Sequence, residues 1–163
     1  MTYRPTALIL MSALLLPAAP AQAARPLLAE FLARAPAAAG APAMPASTLE
    51  ACLTRARALD SDGGALDAQV AALDRLAAED LFLKNQIRAE IGAVEGYDEA
   101  GLKAFQNRVI RQSETTKRLE ATLALYRQQQ KAYDTAVATF ERDCAQPFTA
   151  GDAAAAKARL GIK

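Results

Sequence analysis

From Leu102 to Cys144 the chain can be stepped alternately by three and four residues. The steps land on Leu102, Phe105, Val109, Gln112, Thr116, Leu119, Leu123, Tyr126, Gln130, Tyr133, Val137, Phe140 and Cys144. Most of these positions are apolar or aromatic, and the alternation does not break. A repeat averaging 3.5 residues is the seam of a coiled coil. It leaves few choices. The segment from about Glu99 to Ala145 is one helix, roughly 70 Å long at 1.5 Å per residue, and a second helix has to cover its stripe.

The covering helix lies upstream. Leu49, Cys52, Ala56, Leu59, Gly63, Leu66, Val70 and Leu73 obey the same rule. The register then slips and resumes less cleanly through Leu76, Leu83, Ile87, Ile91 and Val94. Ser47 and Glu50 have the spacing of a capping box at the start. Between the halves Gly92, Gly96 and Asp98 mark a turn, with Asp98 placed to cap the second helix. Folding back about Asp98 sets Leu59 opposite Val137, Leu73 opposite Leu123, and Ile87 opposite Val109. It also sets small Gly63 opposite large Tyr133, and Cys52 opposite Cys144. Few Gly or Pro fall between Ser47 and Cys144, and helix formers dominate. The sequence therefore predicts an all-α fold: a long antiparallel two-helix coiled-coil hairpin over residues 47–148, closed by a disulfide, with short flanking helices.

A lone pair of helices buries one stripe each, so its core is thin. Lys84, Gln112 and Thr116 near the seam thin it further. A Cys52–Cys144 bridge, closing a loop of about 92 residues, would offset this by roughly 4–5 kcal/mol in the chain-entropy account. Ion pairs at helical spacing, such as Asp80 with Lys84, add a few tenths of a kcal/mol each.

Bridges form in oxidising compartments, and the first residues supply the address. Met1–Ala23 carries one charge at Arg4, an apolar run from Ala7 to Leu16, and a Pro-broken end at Ala21-Gln22-Ala23. That is the pattern of a signal peptide cleaved after Ala23. The apolar run falls short of the roughly 20 residues a membrane span needs. The expectation is a periplasmic or secreted chain with no membrane span once mature.

The flanks divide simply. Pro26 to Ala35 places Leu27, Leu28, Phe31 and Leu32 on one side of a short helix, with Pro26 suited to its first turn. Residues 36–45 form a Pro/Ala linker. The short helix either folds back on the hairpin or serves as a tethered docking peptide for a partner groove. Residues 149–163 read as a tail helix capped by Asp152 and frayed at its end.

Chemistry is sparse. Without a single His there is no Ser-His-Asp triad, no Cys-His pair and no imidazole ligand. Lys and Arg number 19 against 18 Asp and Glu, without the basic excess that phosphate neutralisation requires of a nucleic-acid binder. Asp60-Ser61-Asp62-Gly63-Gly64 begins like a calcium loop, but Ala71 stands where the bidentate Glu is needed. Asp60 with Asp62, and Glu79 with Asp80, pair carboxylates on solvated helix faces with no cleft beside them. The reading is no enzyme, no metal and no cofactor. What remains is an apolar group off the seam, Leu81, Phe82, Ile110 and Leu125. Contiguous exposed apolar area marks an interaction face.

Aromatic-polar pairs recur at Phe105-Gln106, Tyr133-Asp134 and Phe140-Glu141, ending in Cys144-Ala145-Gln146-Pro147-Phe148 after the upstream Cys52. In this the chain resembles a group of uncharacterised exported bacterial proteins with heptad-spaced aromatic-Asn pairs and a terminal Cys-Ala-x-x-aromatic motif. Gln, Asp and Glu stand here in place of Asn. The likeness spans Phe105 to Phe148 and implies a disulfide-closed exported hairpin, with no activity attached.

The function expected is a non-enzymatic binding or scaffolding module. It presents its side faces, or the turn at Gly96–Asp98, to a protein partner or to itself. Two other classes fit the same outline. One is a holdase chaperone with helical arms, although such chaperones are strongly basic and trimerise through strands. The other is an inhibitor or immunity protein acting on an envelope enzyme.

Overall fold

The computed structural model describes residues 25–34, 36–37 and 42–163. The proposed signal peptide, residues 1–23, lies outside them. Among the described residues four α-helices follow in order: α1 (Leu27–Leu32), α2 (Ala46–Glu90), α3 (Glu99–Asp143) and α4 (Ala150–Leu160). No strand occurs among the described residues. The helices α2 and α3 pack along one another as the antiparallel hairpin. Cys52 and Cys144 are joined by a disulfide, with Cα atoms 5.9 Å apart.

The turn is made by a short 3-10 helix, Val94–Gly96, and Asp98 caps α3 by accepting the Gly101 N–H at 2.7 Å. Space is tight at Gly101: a Cβ would stand 3.1 Å from the Asp98 carboxylate and 3.3 Å from Tyr97. The start of α2 departs from the sequence expectation. It begins at Ala46 after Pro45 with no side-chain cap. Ser47 is already inside the helix, where the Glu50 N–H is engaged by the helix backbone, so the Ser47–Glu50 box does not form. Glu50 pairs instead with Arg159 of α4 at 2.5 Å.

The core is gathered at the disulfide end. Leu49, Cys52, Leu53, Ala56 and Leu59 of α2 meet Phe140, Cys144 and Phe148 across the pair. Helix α1 folds back onto them, adding Leu27 and Phe31. The Phe31 ring stands 5.5 Å from Phe140 and 5.1 Å from Phe148, and Arg34 lies over it while donating to the Cys144 carbonyl at 2.6 Å. The tethered-peptide alternative for this helix is thereby set aside. The linker is pinned at both ends, Ala37 N–H to the Phe148 carbonyl and Met44 N–H to the Pro147 carbonyl. Met44 joins the core, which the linker reading did not anticipate.

The tail is not frayed. Thr149, not Asp152, is the N-cap of α4, accepting the Asp152 N–H at 3.0 Å while its hydroxyl donates to the Asp152 carboxylate at 2.6 Å. Thr149 thus supplies the side-chain cap for an N–H of the first turn, and the Asp152 carboxylate holds the hydroxyl in place. At the other end Gly161 adopts φ +62°, and the Ile162 N–H returns to the Lys157 carbonyl. That closure is the Schellman pattern, which glycine adopts without strain. Ala156 is fully buried against the head, with Leu160 and Ile162 packed beside it.

Below this head, from about Gly63 and Tyr133 to the turn, α2 and α3 run on as a bare two-helix stalk. At 1.5 Å per residue it extends roughly 50 Å. Its α2 side is buried at Leu83 and Asp80, and partly at Leu73, Leu76 and Ile87. The seam thus passes from Leu73 to Leu76 to Asp80, adding a three-residue step to the 3-4 alternation. Such a stammer overwinds the pair locally and turns the helix face. Ile91, assigned to the seam by periodicity, is 66% exposed.

Candidate functional site

Two features of the stalk set it apart from the head. The first is a polar layer within its seam. Asp80 is buried and accepts from the Thr116 hydroxyl at 2.5 Å and from Gln112 Nε2 at 3.1 Å, while Lys84 reaches its other oxygen at 2.6 Å. Burial pushes the Asp80 carboxyl up. The hydrogen bonds from Lys84, Thr116 and Gln112, with the Lys84 charge, outweigh that and hold it below its ordinary value. Thr115 is also buried. Glu79 and Asp80, read from the sequence as a pair on a solvated helix face, part company: Glu79 turns to Arg111 at 2.5 Å, whereas Asp80 is buried and faces the seam. Asp60 belongs to no metal site either. Its two oxygens accept the Leu27 N–H at 2.7 Å and the Leu28 N–H at 3.2 Å, capping α1. Among the described residues no cluster of metal-ligating side chains is present.

The second feature is the exposed apolar surface. The two sides of the seam are distinguished by their contacts. One, the amide flank, carries Arg55 with Asp143, Gln69 with Gln129, and Glu79 with Arg111. The other, the open flank, carries Asp67, Asp134 and Glu141 around a cleft of about 180 Å³. Tyr126, Tyr133 and Leu66 line that cleft, and Arg25 closes its head end by bonding Glu141. Burial, then the Asp60 charge, pushes the Tyr133 hydroxyl up.

Toward the turn the buried positions of α3 lean to the amide flank. Arg108, Thr115 and Thr122 are covered or half-covered, whereas Leu102 and Val109 are 40% and 39% exposed. The alternation placed Leu102 and Val109 in the seam. The rotation of α2 by the stammer moves the seam off them toward the amide flank and leaves both on the open flank's side of α3. Both then stand beside Ile110 (56% exposed), and across the groove stand Leu81 (59%) and Ile91 (66%) of α2. By register these five line one stripe along the turn half of the open flank, about 21 Å long at 1.5 Å per residue, interrupted on α2 by Lys84 and Arg88 between Leu81 and Ile91. Exposed apolar area gathered on one flank marks an interaction face.

The four sequence-selected residues are all exposed, Phe82 at 59% and Leu125 at 51%. By the same register Leu81 and Ile110 stand on the open flank, and Phe82 and Leu125 on the amide flank. Sequence reasoning missed Ile91, Leu102 and Val109 because an ideal 3-4 count keeps them inside. The only signal pointing to them was the slip after Leu73.

Charges interrupt and border the stripe. On α2 Lys84 and Arg88 stand within it, between Leu81 and Ile91, and on α3 Lys103 and Lys117 border it, by their heptad positions. Among the described residues no helix is long and apolar enough to cross a membrane. Comparison of the chain with models of protein families, with curated proteins and with solved structures finds no match in any of the three.

Proposed function

We propose that the chain is an exported, non-enzymatic interaction module, with the head as an anchor of shape and the stalk as the contact surface. One observation carries this reading. The core is confined to the disulfide end, and the stalk exposes Leu81, Ile91, Leu102, Val109 and Ile110 on a single flank. A rod that keeps large apolar side chains in water along one side is suited to receive a helix or a second rod there. The same exposed stripe with lysines at its border also favours, as a second reading, a holdase that shields unfolded chains in the periplasm.

Site-specific photo-crosslinking in the exporting cell tests the proposal. A photoreactive residue at Ile110 gives discrete crosslinked species, and one at Gln128, exposed on the outer side of α3, does not. Equal silence at both positions removes the stalk as a contact surface. A smear of many species from Ile110, with suppression of aggregation of unrelated unfolded proteins, transfers the case to the holdase. Mass spectrometry of the same material checks the address: the chain begins at Ala24 if the leader is cleaved as its pattern requires.

A further inference from the structure

The reading of the stalk as a contact surface leaves its occupant open, and the arrangement of charge along the open flank identifies one. On α2 the acidic Asp67 and Asp74 occupy the head half of the flank, and the basic Lys84 and Arg88 the turn half. On α3 Lys103 borders the stripe near the turn and Asp134 borders the cleft near the head. Arg127 and Lys131 also lie on the head half and reduce its acidity without reversing it. The polarity of the flank is therefore opposite at its two ends.

We infer that the occupant is a second copy of this chain, docked open flank to open flank with the two stalks antiparallel. The two-fold axis of such a pair crosses the stalk at mid-height, near Ala78 of α2 and Lys117 of α3. An antiparallel two-fold lays α2 on the partner's α2 and α3 on its α3. Lys84 then comes over Asp74 of the second copy, and Arg88 over Asp67. The apolar residues find counterparts by the same operation: Ile91 comes over Leu66, Val109 over Tyr126, and Leu102 over Tyr133. The last three lie along the cleft, so the stripe of one copy fills the notch of the other. Both halves of the contact are used twice, as an isologous interface requires.

Helix α1 sets the limit of this overlap. It covers the flank above Asp60 and Glu141, where Arg25 bonds Glu141 at 3.2 Å. The free flank runs from the turn to that point, and the antiparallel pair uses all of it. A strip about 50 Å long at 1.5 Å per residue and one helix pair wide buries on the order of 800 Å² per copy, the usual size for a stable pair.

Light scattering on the exported, oxidised chain across the micromolar range tests this. The expected mass is twice that of the chain. A turn-half variant, Arg88→Glu with Lys103→Glu, weakens the pair about tenfold or more. A head-half variant, Asp67→Lys with Asp134→Lys, does the same. Mixed together, the two variants form a heterodimer, because every reversed charge meets a reversed partner. Val109→Ser with Ile110→Ser, exposed positions whose change leaves helicity intact by circular dichroism, gives a monomer independently of charge. A wild-type monomer across the range overturns the inference, as does a dimer indifferent to these variants. A wild-type monomer that still crosslinks through Ile110 to another protein overturns the second copy as occupant while leaving the stalk as a contact surface.

Discussion

The Asp60 carboxylate accepts the backbone N–H of Leu27 at 2.7 Å, across 33 positions of sequence. This contact fixes where α1 sits. A helix of six residues cannot hold its own first turn, and Pro26 offers no side-chain oxygen to cap it. The charge that caps it is borrowed from the middle of α2 and sits at the positive end of the helix.

Asp60→Ala is expected to destabilise the head by about 1–2 kcal/mol, the usual loss on removing a cap. Thermal denaturation of the oxidised chain reads this directly. Asp60→Asn retains part of the stabilisation, because an amide oxygen still accepts one N–H. Equal melting of wild type and Asp60→Ala would mean that Phe31 packing alone seats α1.

The disulfide joins residues separated by 92 positions, at the end where the core is densest. Cys144→Ser is expected to cost about 4–5 kcal/mol in the chain-entropy account. The loss falls on the head, where Phe140 and Phe148 bracket Cys144. Hydrogen exchange of the oxidised and serine forms locates it. Amides near Leu53 and Phe140 lose protection, and those around the turn change least. Uniform loss along both helices would contradict a division into head and stalk.

Much of this architecture is legible from residue spacing. The 3-4 alternation from Gln112 to Phe140, the turn cap at Asp98 and the facing of Cys52 with Cys144 all appear in the structure. What spacing does not carry is the side of the seam toward which a helix leans. Burial of Thr115, with Leu102 and Val109 exposed, reverses the order that hydropathy would assign. The cause lies in the other helix, where the short step between Leu73 and Leu76 turns the face that α3 must meet. Asp60 was equally opaque. Its spacing to Asp62 opens a calcium-loop pattern that Ala71 breaks, and nothing in that spacing points to its actual partners, the backbone donors brought by the fold from residues 27 and 28. The exposed flank was therefore half visible, through Leu81 and Ile110, and its other members emerged only from the packing.

Arg159 and Glu50 form an ion pair at 2.5 Å that clasps α4 to α2, but both are half-exposed. A pair of that kind is worth well under about 1 kcal/mol. The buried Ala156 is the stronger tie. Ala156→Leu forces extra volume against the head and is expected to destabilise it by about 1–3 kcal/mol, whereas Arg159→Ala changes the melting temperature little. Denaturant unfolding of both variants decides between them. A larger loss from Arg159→Ala would show that charge, not packing, holds the tail.

The buried Asp80 makes the stalk sensitive to acid. Its folded pKa is depressed, so its contribution is complete above the unfolded value, about 3.9, and is lost as pH falls through the folded value. Stalk amides are therefore expected to lose exchange protection below about pH 4. The neutral layer of Asp80→Leu, Gln112→Leu and Thr116→Val removes that dependence. The triple variant is expected to be as stable as the wild type or more so at neutral pH, since replacing a whole buried polar group by well-packed apolar side chains is often favourable. Asp80→Ala alone behaves oppositely, because it leaves the Thr116 hydroxyl and one Gln112 N–H without their acceptor and Lys84 without its carboxylate. Chemical denaturation at neutral and acid pH separates these outcomes. A triple variant as acid-sensitive as the wild type would move the titration to another carboxylate, with Asp143, held low by Arg142 and Arg55, the next to examine.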